Sequence, residues 1–107
     1  MMDAPEASAG FAAVGSVPRL RLLILLVRAG PDGLTTGQVQ ERLGIPASTL
    51  AHHLRILADA GAIRQEKKGR AVINTADYDR LRELAEFLLK ECCEDATLTR
   101  HREHEHG

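Results

Sequence analysis

A mainly α-helical domain carrying one small β-hairpin is the fold class this sequence predicts, and three observations predict it. Aromatic residues make up only 3% of the chain, so leucine and alanine, both strong helix formers, must supply the core. Apolar residues recur at helical spacing along most of the length, broken by Gly and Pro stops. Only the stretch from 62 to 75 reads as extended, and a Gly-containing turn divides it. With 107 residues there is room for one core and not two. The 44% apolar and 27% charged content is that of a folded domain.

Residues 3 to 13, rich in alanine, form a weak helix entered near Pro5, with nothing evident to fix its ends. Ser16 caps a second helix over 17–28, with Pro18 tolerated in its first turn and the run Gly30-Pro31-Asp32-Gly33 stopping it. From Leu20 to Val27 that helix is apolar nearly all round, which predicts a place in the middle of the domain. Thr35 and Gln38 have capping-box spacing and open a short helix that ends at Gly44. Pro46 starts another, which runs to Ala60 and stops at Gly61.

Two short helices separated by a tight Gly-containing turn are a helix-turn-helix. On the second, Leu50, Leu54 and Leu57 make an inward stripe, and Ser48, His52, Arg55 and Asp59 gather on the opposite side. After Gly61, residues 62–66 and 71–75 are the strands of a hairpin whose tip, Lys67-Lys68-Gly69-Arg70, carries three positive charges. A last helix is expected over 77–96, with the stripe Leu81, Leu84, Ala85, Leu88 and Cys92. The order helix, helix-turn-helix, basic hairpin and terminal helix describes a winged helix-turn-helix over residues 1–97. A charged, His-containing tail at 98–107, with no apolar residue from Arg100 onward, is read as disordered.

Charge is distributed unevenly along the chain. Residues 35–75 hold six Lys or Arg against three acids, and residues 76–107 hold five against nine, although the whole carries only -1. The basic middle is suited to an anionic polymer, and the acidic end would avoid one. Ser48, Thr49, His52 and Arg55 would enter the major groove of double-stranded operator DNA, where arginine can donate twice to guanine. Lys67, Lys68 and Arg70 would reach backbone phosphate from the hairpin. Ser48 and Thr49 have a second reading, that they satisfy first-turn amides. His53, on the flank of the leucine stripe, reads as a packed histidine hydrogen-bonded to backbone and not as a base contact.

The string Ser48-Thr49-Leu50-Ala51-His52-His53-Leu54-Arg55-Ile56-Leu57-Ala58-Asp59-Ala60-Gly61-Ala62-Ile63 resembles the recognition helix of the ArsR/SmtB metalloregulators. Pro18-Arg19-Leu20-Arg21-Leu22-Leu23 is similar to an earlier helix of that family, and the likeness spans roughly residues 14 to 93. The resemblance implies a homodimer joined through its terminal helices, which also follows from physics: one copy offers a single recognition helix, and two copies read half-sites a helical turn apart.

Cys92 would lie in that seam and the adjacent Cys93 at its margin beside Leu89, and soft thiolates select thiophilic ions. Glu91-Cys92-Cys93-Glu94 looks like the thiol pair of arsenite-responsive members, which implies arsenite or antimonite as inducer, although those members carry a third cysteine and this chain has none. His101, His104 and His106 offer nitrogen donors, so zinc or another divalent metal also suits the site. Reversible thiol oxidation is a further alternative, against which stands the strain of a disulfide between neighbours. Cys92 as a plain buried hydrophobe is the bland reading.

DNA binding itself would need no cofactor. An enzyme is not expected: a thiol oxidoreductase wants Cys-x-x-Cys at a helix start or a base near the sulfur. A protein adaptor using the fold without DNA is the other rival. The longest apolar run, 22–27, is far short of a membrane span, and residues 1–15 lack the pattern of a secretory signal, which together predict a cytoplasmic setting.

Overall fold

The structure, a computed structural model, describes residues 2–90. The expected continuation of the last helix to residue 96, both cysteines and the charged tail lie outside the described residues. Among these residues five helices and one three-stranded antiparallel sheet, with the last strand in its middle, make a winged helix-turn-helix.

Helix α1 spans Ala4–Val14, and its start is fixed after all. The Glu6 amide donates to Asp3 Oδ1 at 2.9 Å and the Asp3 amide to Glu6 Oε1 at 3.4 Å, a reciprocal capping box. Helix α2, Val17–Ala29, is capped by Ser16 as expected. Only Leu22, Leu23 and Leu26 are buried on it; Val17, Leu20, Ile24 and Val27 line the opposite face at between 39% and 61% exposure. The expectation that α2 is covered all round is therefore corrected, because the domain supplies packing for one of its two apolar faces.

Thr35 and Gln38 close the expected capping box at 3.1 and 2.8 Å and start α3, Thr36–Leu43, which Gly44 ends in the left-handed conformation. Helix α4, Ala47–Asp59, follows with Pro46 at its cap, and Leu50, Leu54 and Leu57 are sunk in the core. These three leucines hold the outer face of α4 in one orientation, since fully burying each contributes about 1.5–3 kcal/mol.

The hairpin differs from expectation in length and in turn. Strands β2 (Ile63–Lys68) and β3 (Ala71–Ala76) pair down to Lys68↔Ala71, so the turn is only Gly69 and Arg70, with Gly69 at φ +62°. Lys67 and Lys68 thus belong to a strand, where neighbouring side chains point to opposite faces. Cross-strand pairing has overridden the weak strand preference of lysine.

A third strand, β1 (Leu34–Thr35), was not expected; two residues show no period. It pairs as Leu34↔Asn74 and Thr35↔Ile73. Gly33 makes the approach possible: its φ is +68°, and a Cβ there would overlap the Asn74 carbonyl oxygen.

Helix α5 spans Tyr78–Leu89, and the Asp77 side chain accepts from the Arg80 amide. Leu84 is buried against α1, where Gly10 leaves room for it: a Cβ on Gly10 would sit 2.8 Å from Leu84 Cδ2. Together with Met2, Ala7, Phe11, Leu81 and Phe87 this forms a second, smaller apolar cluster. The expected stripe is only half covered, for Ala85 is exposed and Leu88 and Leu89 are each 65% exposed. The Tyr78 hydroxyl donates to the Val27 carbonyl at 3.0 Å, tying the start of α5 to the end of α2. Among the described residues no single helix is long and apolar enough to cross a membrane.

Candidate nucleic-acid interface

All seven residues expected to meet DNA are exposed. Four sit on α4, whose other face is locked into the core, and three on the hairpin; α4 packs directly beside β2. No side chain caps α4, so its first-turn amides are not occupied by Ser48 or Thr49. The second reading of these residues, as caps, is thereby removed. A helix start carrying unsatisfied N–H groups and no acidic residue in its first turn is electropositive and suits phosphate. His52 and Arg55 follow on the same exposed face.

His53 is half-buried, as a packed residue should be, yet its inner Nδ1 is buried with no hydrogen-bond partner. The expected backbone hydrogen bond is absent at that nitrogen. Burial lowers its pKa, and the charges of Arg19 and His52 lower it further, so the ring is neutral at pH 7.

The hairpin charges are not equivalent. Lys68 stands 3.5 Å from Glu66 on one face, both side chains exposed, whereas Lys67 lies on the other face without an acidic partner among the described residues. Arg64, lower on β2, is turned to Asp77 at 3.1 Å. Burial alone would raise the Asp77 carboxyl, but the Arg80 amide and the Arg64 guanidinium outweigh it and hold its pKa below the ordinary value.

One residue escaped the sequence reading. Asn74 is the one fully buried polar side chain among the described residues: its Nδ2 donates to the Leu34 carbonyl at 3.2 Å and to Thr36 Oγ1 at 3.1 Å, and its Oδ1 accepts from Gln65 Nε2 at 2.8 Å. The available signal was an asparagine between Ile73 and Thr75 in a strand, a setting that residue avoids unless hydrogen-bonded. Among the described residues no group of three or more His, Cys, Asp or Glu could hold a metal ion, and Cys92 and Cys93 lie outside them.

A helix-turn-helix domain family matches residues 19–66. Among solved structures the chain is similar to an ArsR-like transcriptional regulator from Rhodococcus sp. RHA1, at 26% identity over 92% of each chain with a TM-score of 0.78. It is also similar to a possible transcriptional regulator for arsenical resistance, at 25% identity, 74% of this chain, 79% of that one and a TM-score of 0.65. A third likeness is to the homodimeric winged helix-turn-helix DNA-binding domain of a possible ArsR-family regulator from Mycobacterium bovis, at 18% identity, 86% and 90% coverage and a TM-score of 0.64. No curated protein matches the sequence. The domain match shows a helix-turn-helix in residues 19–66, and the fold is similar to that of ArsR-like transcriptional regulators.

Proposed function

We propose that this chain is a cytoplasmic, homodimeric ArsR-type repressor that holds double-stranded operator DNA through α4 and the hairpin and carries out no catalysis. The observation that carries the reading is α4 itself: an uncapped helix start and the exposed Ser48, Thr49, His52 and Arg55 on an element whose inner face is fixed by three buried leucines. Arg55 and His52 would read base edges, Ser48 and Thr49 would meet bases or phosphate at the helix start, and Lys67, Lys68 and Arg70 would hold register on phosphate.

Dimerisation is supported by the apolar surface left over. Leu88 and Leu89 end α5 almost uncovered, and α2 carries its own uncovered row. A second copy would remove these from water, which stabilises a domain too small for a large core of its own.

In this reading the dimer releases its operator when a thiophilic ion binds Cys92 and Cys93, with arsenite or antimonite first and zinc or thiol oxidation as the alternatives. The donor set fits soft ions, two adjacent thiolates being matched to them, and one structural relative is a possible transcriptional regulator for arsenical resistance. Ligand and operator would oppose each other by an equal factor, and a coupling of about 1–3 kcal/mol gives about a 5 to 150-fold change.

The test is an operator titration at fixed salt with arsenite, antimonite and zinc in turn, repeated on Cys92→Ser and Cys93→Ser. Release by arsenite in the parent and none in either variant is the expected result. Operator affinity indifferent to every ion while the thiols are reduced refutes the inducer assignment, and no affinity for any duplex refutes the whole reading.

A further inference from the structure

We infer that Asn74 is a positioning residue that sets the angle of the hairpin against the helix-turn-helix, and so decides whether the hairpin charges reach DNA. The inference rests on the DNA-binding reading above. Asn74 is wholly buried, and three of the four hydrogen-bonding positions of its amide are filled from three different elements. The Leu34 carbonyl belongs to β1, Thr36 Oγ1 to the first turn of α3, and Gln65 to β2. One side chain therefore joins both strands of the hairpin to the first helix of the helix-turn-helix.

Its place along the ladder gives this junction leverage. The pair Gln65↔Asn74 lies next to Glu66↔Ile73, where β1 ends at Thr35; beyond come Lys67↔Val72, Lys68↔Ala71 and the turn with Arg70. Asn74 thus grips the hairpin just below all three charges. Three residues of antiparallel strand extend about 10 Å, so a swing of about 10° at that rung moves the tip by about 2 Å, enough to break a hydrogen bond to phosphate. A two-stranded ribbon does not hold its own angle, because an isolated hairpin is marginally stable. Gly33 supports the same junction from outside, since only a residue without Cβ lets β1 lie against the Asn74 backbone.

The test is a double-mutant cycle read by salt dependence. A fluorescent duplex that the parent chain selects from a random-sequence pool is titrated across salt with Asn74→Leu, with Thr36→Val as the milder variant, and with each combined with Arg70→Ala. In the parent background Arg70→Ala lowers the salt slope by about 0.9 for each phosphate that is no longer neutralised. In the Asn74→Leu and Thr36→Val backgrounds the slope is already lower and Arg70→Ala changes it little, because a misaligned hairpin leaves Arg70 out of reach of phosphate. Thr36→Val keeps a side chain of the same shape, so circular dichroism confirms its fold. An equal drop in slope from Arg70→Ala in folded variant and parent overturns the inference and leaves DNA binding standing. A parent chain that selects no duplex overturns both.

Discussion

Glu66 should act as a built-in brake on the hairpin, and removing it should tighten DNA binding. Its carboxylate lies 3.5 Å from the Lys68 ammonium, with both side chains about two-thirds exposed. An exposed pair of this kind contributes about 0–1 kcal/mol to stability, so Glu66→Ala leaves the fold intact. What it changes is the charge offered to phosphate. Freed from Glu66, Lys68 neutralises one further phosphate per protomer, two in the proposed dimer, and the salt slope steepens by about 1.8. Between about 50 and 200 mM salt that difference amounts to about twelvefold in affinity. Lys67, on the opposite face and without an acidic partner among the described residues, should show the reverse asymmetry: Lys67→Ala costs more slope than Lys68→Ala. The assay is fluorescence anisotropy on one duplex across a salt series. A slope unmoved by Glu66→Ala, together with equal effects for the two lysines, would refute the idea that strand register divides the work of the hairpin.

Other outcomes follow from the same packing. Leu88→Glu should split the proposed dimer while leaving the helical signal of the monomer unchanged: two symmetric leucines at about 1.5–3 kcal/mol each predict more than a hundredfold weaker self-association by sedimentation. Gly33→Ala should cost more than Gly44→Ala in urea unfolding, although both have positive φ, because a Cβ at Gly44 meets nothing within 4 Å and adds only about 1–2 kcal/mol of backbone strain, whereas one at Gly33 also drives β1 from β3. Asp77 has its pKa lowered by folding, so its stabilisation is complete above the ordinary aspartate value and is lost as pH falls through the folded one; Asp77→Asn should flatten that acid limb. His53 is also lowered, so the unfolded chain takes up its proton first and stability declines as pH drops below about 6.5; His53→Gln should remove that part of the decline in thermal melts.

The elements that could be read from sequence were those whose signals are local. Ser16, Thr35 with Gln38, and Gly44 act through hydrogen bonds within a few residues, and each does in the fold what its spacing implies. The stripe of Leu50, Leu54 and Leu57 was equally legible, since a helical period needs no knowledge of the partner surface. Asp3 with Glu6 is a signal of the same local kind, masked by the alanine-rich run that follows it. The rest depended on distance. Whether the second apolar face of α2 is covered depends on what packs against it, and hydropathy carries no such information. Strand β1 exists only because Asn74, 40 positions away, accepts it as a neighbour. The exposed residues of α4 were identifiable as a face, but the unequal standing of Lys67 and Lys68 required knowing that the strands continue to a two-residue turn.

The first turn of α5 is gripped from two sides, by Arg64 of the hairpin at Asp77 and by the Val27 carbonyl at Tyr78. Further along, Leu84 packs beside Gly10 of α1, so the helix is held at its root and again at mid-length. With Tyr78→Phe or Arg64→Ala one of the two root contacts is lost, and the packing of Leu84 on α1 is left to orient the helix.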